Sequence, residues 1–258
     1  MTQSRGPDLD SRHLLWDGCL NVRDLGGLPT QDAGLTRRAS ILRADSIRKL
    51  TDAGWEELLE FGISRIVDLR VHSELAEDPP REVAIDVVHV SVLPEFHTED
   101  WVEIDAVGDA QPDAVAETRA VYLEFLERFP RNFAAAVEAV ATAPKGGVVI
   151  HCVGGKDRTG LVSALVLRLV GVSIADVAAD YALSEENLRP ERSQWIDDAP
   201  TEEERRRRER RSETPAAAMV GVLEELDRRF GSVDGYLLAA GATRETLQRI
   251  RDRLTPDS

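Results

Sequence analysis

The segment His151–Gly160 combines one cysteine, three glycines, one lysine and one arginine within ten residues. Five residues separate Cys152 from Arg158. Glycines let a backbone turn tightly around a ligand, and backbone N–H groups together with nearby cations attract anions. The same positive environment favours the thiolate, which is the nucleophilic form of cysteine. We therefore predict a loop that binds phosphate and other oxyanions, formed by Val153, Gly154, Gly155, Lys156, Asp157 and Arg158.

Hydrolysis of a phosphomonoester in two steps is the chemistry that these residue types can perform. Cys152 would attack phosphorus and form a phosphocysteine intermediate, while the planar fork of Arg158 holds two equatorial oxygens. The leaving oxygen needs a proton, for which Asp157 and Asp68 are the candidates. The hydroxyl of Thr159 is expected to donate a hydrogen bond to the sulfur as it leaves in the second step.

The histidines and cysteines show no metal-ligand spacing, so we predict neither a metal site nor another cofactor. Because neighbouring residues of a strand point to opposite faces, His151 is expected to turn away from the phosphate and to hold the loop. Cys19 is interpreted as a small core residue, and pairing with Cys152 as a redox partner is the weaker alternative.

The net charge of −15 and the pI near 4.8 indicate a protein that repels nucleic acid and anionic membranes. The longest apolar run, Leu161–Val172, is too short to span a bilayer and contains Arg168. We therefore expect no nucleic-acid partner and no stable membrane insertion. Two cysteines and an N-terminus without the apolar core of a signal peptide favour a cytoplasmic location, while unconventional secretion stays open.

The elements that must position the loop alternate between strands and helices. Short apolar or β-branched runs predict strands at Ser40–Arg43, Ile63–Leu69, Val83–Val92 and Gly147–Cys152. The loop follows the last of these strands and precedes a helix, which is where open α/β sheets bind their ligands. We predict an α/β fold with a central, mostly parallel sheet flanked by helices on both faces, and a helical C-terminal part.

Apolar residues at helical spacing predict the helices between and after the strands. A single domain over residues 1–258 is predicted, with residues 1–15 loosely ordered, and Glu99–Gly108 is ambiguous. The charged stretch 201–213 is interpreted as a solvated helix, since Glu202, Glu203 and Glu204 each lie four residues before an arginine. Helices are predicted at 51–61, 113–129, 131–143, 159–170, 173–183, from Thr201 onward, and at 223–230, 233–240 and 243–254.

The Cys-x5-Arg-Thr-Gly pattern with its internal Gly-Lys-Asp resembles the bacterial protein tyrosine phosphatases of the PtpB-like, or Y-phosphatase-3, group. Three further segments resemble motifs of that group in the same order, and together the likeness covers roughly residues 17–180. These segments are Asn21–Gly27 (NVRDLGG), Leu42–Ser46 (LRADS), and Val67–Arg70 (VDLR) with Glu74.

The resemblance implies a protein-tyrosine-phosphatase-like fold and phosphoric monoester hydrolysis without a cofactor. It implies Cys152 as the nucleophile, Arg158 as the phosphate binder and Asp157 as the leading general-acid candidate. Asp68 carries over as an active-site neighbour that could share the role of the acid.

The group lacks a separate acid loop, and this chain has no Trp-Pro-Asp. Trp101 is followed by Val-Glu-Ile-Asp, so Asp105 is the weaker candidate for an acid. Members of the group also carry helical lids over the site. The resemblance therefore implies a lid within residues 185–230, above all at Glu185–Arg211.

The sequence leaves two classes of substrate open. A phosphotyrosine protein is the first, with dual specificity toward phosphoserine and phosphothreonine, and a phosphoinositide head group is the alternative, favoured by Lys156 within the loop. Sulfur transfer of the rhodanese type is disfavoured, because those loops commonly have four residues before the arginine position. A non-enzymatic phosphate-binding module would have no need for both Cys152 and Arg158.

Overall fold

A computed structural model describes residues 12–32 and 34–255 of the chain. Its sheet has five strands in the order β1-β2-β5-β3-β4. β1 pairs antiparallel with β2 and every other pairing is parallel, which confirms the predicted mostly parallel α/β sheet. The strands are β1 (Arg23–Asp24), β2 (Ile41–Ala44), β3 (Ile63–Asp68), β4 (Asp86–His89) and β5 (Gly147–His151).

Twelve α-helices lie within the described residues, and most begin at a residue whose side chain suits a helix N-terminus. Thr51, for example, accepts a hydrogen bond from the N–H of Gly54 and caps the first helix. The helices are α1 (Asp52–Glu60), α2 (His72–Glu77), α3 (Glu99–Asp109), α4 (Ala114–Arg128), α5 (Pro130–Ala141), α6 (Asp157–Leu169), α7 (Ile174–Asn187), α8 (Arg189–Asp197), α9 (Glu202–Ser212), α10 (Ala216–Phe230), α11 (Val233–Ala239) and α12 (Arg244–Leu254).

Several boundaries differ from the sequence prediction. The ambiguous stretch is the helix α3, and β4 is shorter than predicted because it lies at the edge of the sheet with one partner strand. The helix α5 begins at Pro130, one residue before the predicted start, since proline fits the first helical turn. The helix α6 begins at Asp157, two residues before the predicted start, so Asp157 and Arg158 lie in its first turn.

Two hydrophobic cores lie on the two faces of the sheet. In β5, Val148 and Ile150 face the larger core, which also contains side chains of α3–α7 and α10–α12. Val149 faces the smaller core, where Trp55 and Leu58 of α1 pack. Helices on both faces are thereby confirmed, and the alternation along β5 directs His151 and Cys152 to opposite faces.

The N-terminal segment is anchored from the first described residue onward. Arg12 is fully buried and its guanidinium lies 2.6 Å from the carboxylate of Asp180. The predicted loose order of residues 1–15 therefore does not extend to Arg12, and residues 1–11 lie outside the described part. In the described ranges, no helix combines the length and the apolarity needed to cross a bilayer.

Candidate active site

The carboxyl ends of three parallel strands lie side by side. Ala44 of β2 and Asp68 of β3 are both in register with His151, the last residue of β5. The residues that follow these strands therefore meet at one edge of the sheet, as expected for a ligand site in an open α/β fold. Cys152 lies at the centre of this edge and is 2% exposed.

Three carbonyls of the phosphate loop, residues 152–158, are each held from outside the loop. The C=O of Val153 accepts from the N–H of Ser46 at 2.7 Å, that of Gly154 from the side chain of Asn21 at 3.0 Å, and that of Gly155 from Arg43 at 2.7 Å. Across a trans peptide the N–H points opposite to the C=O. Holding these carbonyls outside therefore directs the N–H groups of residues 154–156 to the inside of the loop.

The conformation of the loop requires glycine at one position. Gly155 has φ +64°, and a Cβ at this residue would lie 2.3 Å from the carbonyl oxygen of Ala44. The tight turn leads directly into α6, whose first N–H groups have no partner within the helix. Loop and helix thus present positively polarised N–H groups to the same volume.

His151 and Thr159 flank the phosphate loop in the sequence, and both side chains are buried. Nδ1 of His151 lies 3.1 Å from the carbonyl oxygen of Cys152, as expected for a residue that holds the loop. Burial lowers the pKa of His151 and outweighs the opposing effect of Asp68, so the imidazole is neutral at pH 7. Thr159 is fully buried, and within the described residues its hydroxyl has no hydrogen-bond partner.

Arg158 is oriented by Glu74, a residue to which the sequence assigned no role. The two terminal nitrogens of Arg158 lie 2.5 and 2.9 Å from the two carboxylate oxygens of Glu74, which also accepts from the N–H of Val71 at the start of α2. Burial lowers the pKa of Arg158, but Cys152 and Glu74 outweigh it and raise that pKa. The pair with Glu74 leaves the Nε side of the guanidinium for a second anion.

Asp157 lies at the entrance of the site. Its Oδ1 accepts a hydrogen bond from the hydroxyl of Tyr122 at 2.6 Å, and its side chain is 48% exposed. It lines the cavity above the loop together with Arg158. Asp157 is therefore placed where it can reach a bound ester.

Asp68 occupies a different environment. It is 2% exposed, and both its oxygens accept hydrogen bonds from Arg70 at 2.8 to 3.1 Å. Burial raises the pKa of Asp68, but His151 and Arg70 outweigh it and lower that pKa. Asp68 is thus an ionised, fully bonded residue below the loop, and it does not line the cavity above it.

The ammonium of Lys156 points to the C-terminal end of α9. It donates to the carbonyls of Arg211 at 2.5 Å and Glu213 at 3.1 Å. These bonds join the phosphate loop to a helix far along the chain, a contact that the composition of the loop did not reveal.

A cavity of about 290 Å³ opens above Asp157 and Arg158. Lys156, Arg158 and Arg211 bring positive charge to its lining, and Asp105, Glu117 and Asp157 bring carboxylates. Asp105, the weaker acid candidate, is ion-paired there with Arg211 and Arg207. The apolar part of the wall is formed by Leu93, Phe96, Trp101, Ile104, Val121, Tyr122, Phe125 and Trp195.

The helices α8 and α9 border this cavity, and neither contains a buried residue. Trp195 of α8 and Arg211 of α9 reach its lining. Ion pairs hold α9 onto α3 and α4, with Arg207 on Asp109 and both Arg210 and Arg211 on the buried carboxylate of Glu117. The charged stretch is therefore only in part the internally paired helix predicted from the sequence.

Weakening these ion pairs should loosen α9. We expect Arg210→Gln with Arg211→Gln to raise kcat/KM for a phosphorylated protein relative to a small aryl phosphate by about threefold or more. Both arginines are partly exposed and share the buried carboxylate of Glu117, and even exposed pairs contribute about 0.2–1 kcal/mol each. The ratio of the two rates is the measurement, and high salt should raise it in the parent protein.

The matched control is Arg205→Gln with Arg206→Gln on the same helix. These two side chains pair within α9, with Glu209 and Glu202, and should leave the ratio unchanged. An equal ratio in both double variants would contradict the attachment of α9 by the pairs at Glu117.

A buried charge cluster supports the loop from below. Asp180 of α7 accepts from Arg12 and Arg43 and lies 3.4 Å from Arg23. Burial raises the pKa of Asp180, but Arg23, Arg43 and Arg12 outweigh it and hold it far below its usual range. Burial and Arg43 lower the pKa of Arg23 to about 9, because three cations share one carboxylate. The surplus positive charge lies beneath the carbonyl that Arg43 holds.

Removing the central carboxylate should destabilise the fold. We expect Asp180→Asn to lower the free energy of unfolding by about 3–5 kcal/mol, because it leaves buried arginines unpaired. The stabilisation from Asp180 is fully present above its unfolded pKa of about 3.9 and is lost as pH falls toward the folded value. Urea titrations at pH 7 and below pH 4 measure both effects.

Asp86→Asn is the matched control, since Asp86 pairs with Arg65 at the surface. We expect a change within about 1 kcal/mol there. A similar small change at Asp180 would show that the buried cluster contributes little.

Apart from His151, sequence reasoning missed the side chains that position the loop. Asp180 and Ser184, one turn apart on a buried face of α7, were the recoverable signal, because polar residues at that spacing on a core helix need partners. Tyr122 lies within an ordinary amphipathic helix, and nothing in its surroundings in the sequence marked it.

Comparison with known proteins agrees with this geometry. The model of the tyrosine phosphatase family matches residues 14–256. A triple specificity protein phosphatase PtpB of Mycobacterium tuberculosis is 30% identical, over 91% of this chain and 96% of its own. A tyrosine-protein phosphatase of Nostoc commune is 27% identical, over 83% of this chain and 74% of its own. The expected resemblance and the expected hydrolase class are confirmed, and the chain belongs to the tyrosine phosphatase family.

Proposed function

We propose that the protein hydrolyses phosphotyrosine in proteins through a phosphocysteine intermediate. The observation that carries the proposal is the geometry of the loop, in which three carbonyls are held outside so that the N–H groups of residues 154–156 converge inside. Cys152 begins this loop and Arg158 ends it.

In the first step the Cys152 thiolate attacks phosphorus and the bond to the substrate oxygen breaks. The loop N–H groups and the Nε side of Arg158 stabilise the equatorial oxygens in the transition state. Asp157, in its protonated form, gives its proton to the leaving oxygen. The phosphoryl group is then on sulfur and Asp157 is a carboxylate.

In the second step a water molecule attacks the phosphocysteine. Asp157 takes a proton from this water, the S–P bond breaks, and the thiolate of Cys152 is restored. The buried hydroxyl of Thr159, which has no other partner in the described residues, is suited to donate to the departing sulfur. Each group thus returns to its starting state.

Asp68 has a positioning role in this proposal. Its carboxylate holds Arg70 and lies 3.6 Å from His151, whose ring contacts the carbonyl of Cys152 at the start of the loop. Lys156 contributes to phosphate binding through its backbone N–H, while its ammonium holds the end of α9. The segment α8–α9 then acts as the lid.

The cavity favours an aromatic ester. A void of about 150 Å³ is enough to hold a benzene ring, and the cavity above the loop is larger and has aromatic walls. A phosphoinositide head group is the second candidate, favoured by Lys156 and Arg211 in the lining. Both cysteines are free, so a reducing compartment such as the cytoplasm suits the proposed nucleophile.

The test compares a phosphotyrosine peptide with a soluble phosphoinositide head group, with and without a metal chelator. We expect turnover in chelator and a higher kcat/KM for the peptide. Faster hydrolysis of the head group would select the second candidate. Loss of turnover in chelator would contradict the mechanism.

A further inference from the structure

Two buried tyrosines connect Asp157 to the core. The hydroxyl of Tyr122 lies 2.6 Å from Oδ1 of Asp157 and 2.8 Å from the hydroxyl of Tyr181. Tyr122 is 2% exposed and Tyr181 is 1% exposed. Tyr122 belongs to α4 and Tyr181 to α7, whereas Asp157 lies at the start of α6. The two hydrogen bonds therefore connect Asp157 to two other helices.

The direction of the hydrogen bonds is determined by chemistry. An ionised carboxylate only accepts, and Oδ1 still accepts when the acidic proton is on Oδ2. In both states Tyr122 therefore donates its single hydroxyl proton to Oδ1 of Asp157. Tyr181 must then donate to Tyr122. Burial raises the pKa of both tyrosines, and the charge of Asp157 raises it further, so both hydroxyls keep their protons at neutral pH.

The two oxygens of Asp157 are therefore not equivalent. Oδ1 receives Tyr122 and also lies nearest to the ammonium of Lys156, at 3.6 Å. The carboxyl group is about half exposed and borders the cavity, which leaves Oδ2 for the substrate. Gly160 leaves room for the Tyr181 ring, since the Cβ of any other residue at this position would lie 3.1 Å from that ring.

We propose that Tyr122, itself held by Tyr181, is a positioning residue that fixes Oδ1 of Asp157 and assigns proton transfer to Oδ2. This inference rests on the proposed role of Asp157 as the general acid. As the bond from phosphorus to the leaving oxygen breaks, the proton passes from Oδ2 to that oxygen and negative charge grows on the carboxyl group. The hydrogen bond from Tyr122 strengthens with this charge and so stabilises the transition state.

The test uses aryl phosphates whose phenols increase in basicity. Proton donation matters little for a very acidic phenol and much for phenol itself, so the dependence of kcat/KM on the leaving group reports the acid. Asp157→Asn should steepen this dependence most. Tyr122→Phe should lower kcat/KM by about tenfold or more for phenyl phosphate, the effect of a hydrogen bond to a charged group, and by much less for the most activated ester. Tyr181→Phe should act in the same direction, more weakly.

Tyr236→Phe is the matched control. Tyr236 is 2% exposed and donates to the carbonyl of Leu126 in the core, so its loss removes a buried hydroxyl without touching Asp157. It should lower the melting temperature and leave the leaving-group dependence unchanged. Vanadate affinity, measured for every variant, checks that the phosphate loop is intact.

The outcomes separate the positioning role of Tyr122 from the general-acid role of Asp157. Suppose that kcat/KM depends steeply on the leaving group in Asp157→Asn but as in the parent in Tyr122→Phe. This result would overturn the positioning role of Tyr122 and leave Asp157 as the general acid. A uniform loss over all esters in Tyr122→Phe would also overturn the positioning role, since that is the result of a structural defect. A parental dependence in Asp157→Asn would overturn both, while turnover that still requires Cys152 would leave the rest of the mechanism standing.

Discussion

Replacing Cys152 by serine should reduce hydrolysis of any phosphomonoester by at least about 10⁴-fold, as expected when a covalent nucleophile is lost. A serine hydroxyl is protonated at neutral pH and has no base in hydrogen-bond contact in this loop. The N–H groups and Arg158 remain, so phosphate analogues should still bind. Initial rates on an aryl phosphate and the vanadate affinity are the two measurements.

Cys19→Ser is the natural control for this variant. The thiol of Cys19 lies 3.5 Å from the carbonyl of Ser46, and burial followed by the charge of Asp45 raises its pKa. Cys19 is thus a neutral thiol and its removal should leave kcat unchanged.

Rapid quenching of the parent enzyme should trap one phosphoryl group on a peptide that contains Cys152. Substantial turnover in Cys152→Ser, or label elsewhere, would refute the phosphocysteine mechanism.

Replacing Arg158 by lysine should cost about 10³-fold in kcat/KM, although the charge is kept. The guanidinium contacts both oxygens of Glu74 with one edge and presents its Nε side to the loop. An ammonium cannot make both sets of parallel bonds at once. The loss should appear mainly in kcat, because the equatorial oxygens carry more charge in the transition state.

Arg168→Lys, on the same helix, controls for the general effect of the substitution. Arg168 pairs with Asp227 away from the site, so activity should be parental. Glu74→Gln should give a smaller loss than Arg158→Lys, since it removes the charge that orients Arg158 but not the fork itself. Equal activity of Arg158→Lys and the parent would show that charge alone binds the phosphate.

The parts of the site that a local pattern encodes were predicted from the sequence. Gly155 requires a positive φ and the cap at Thr51 requires a hydroxyl, and both are local needs that residue type reveals. The strand β5 and the start of a helix after the loop follow from apolar runs and spacing. The helix α6 begins at Asp157, two residues before the predicted start, so the sequence did not place Asp157 and Arg158 in the helix. Helix propensity does not locate the exact first residue of a helix that follows a ligand-binding loop.

The sequence by itself determined which residues are proposed to carry the chemistry: a thiol, a guanidinium and glycines, spaced to surround a phosphate after a buried strand. Only the tertiary structure decided which side chains hold that chemistry in place. Glu74 is 84 residues from Arg158, and Asp180 is 157 residues from Arg23. Periodicity reports which face of an element is buried, whereas partners across such separations depend on how the elements pack. Tyr122 and Tyr181 are likewise partners of Asp157 that only the packing of the helices brings to it.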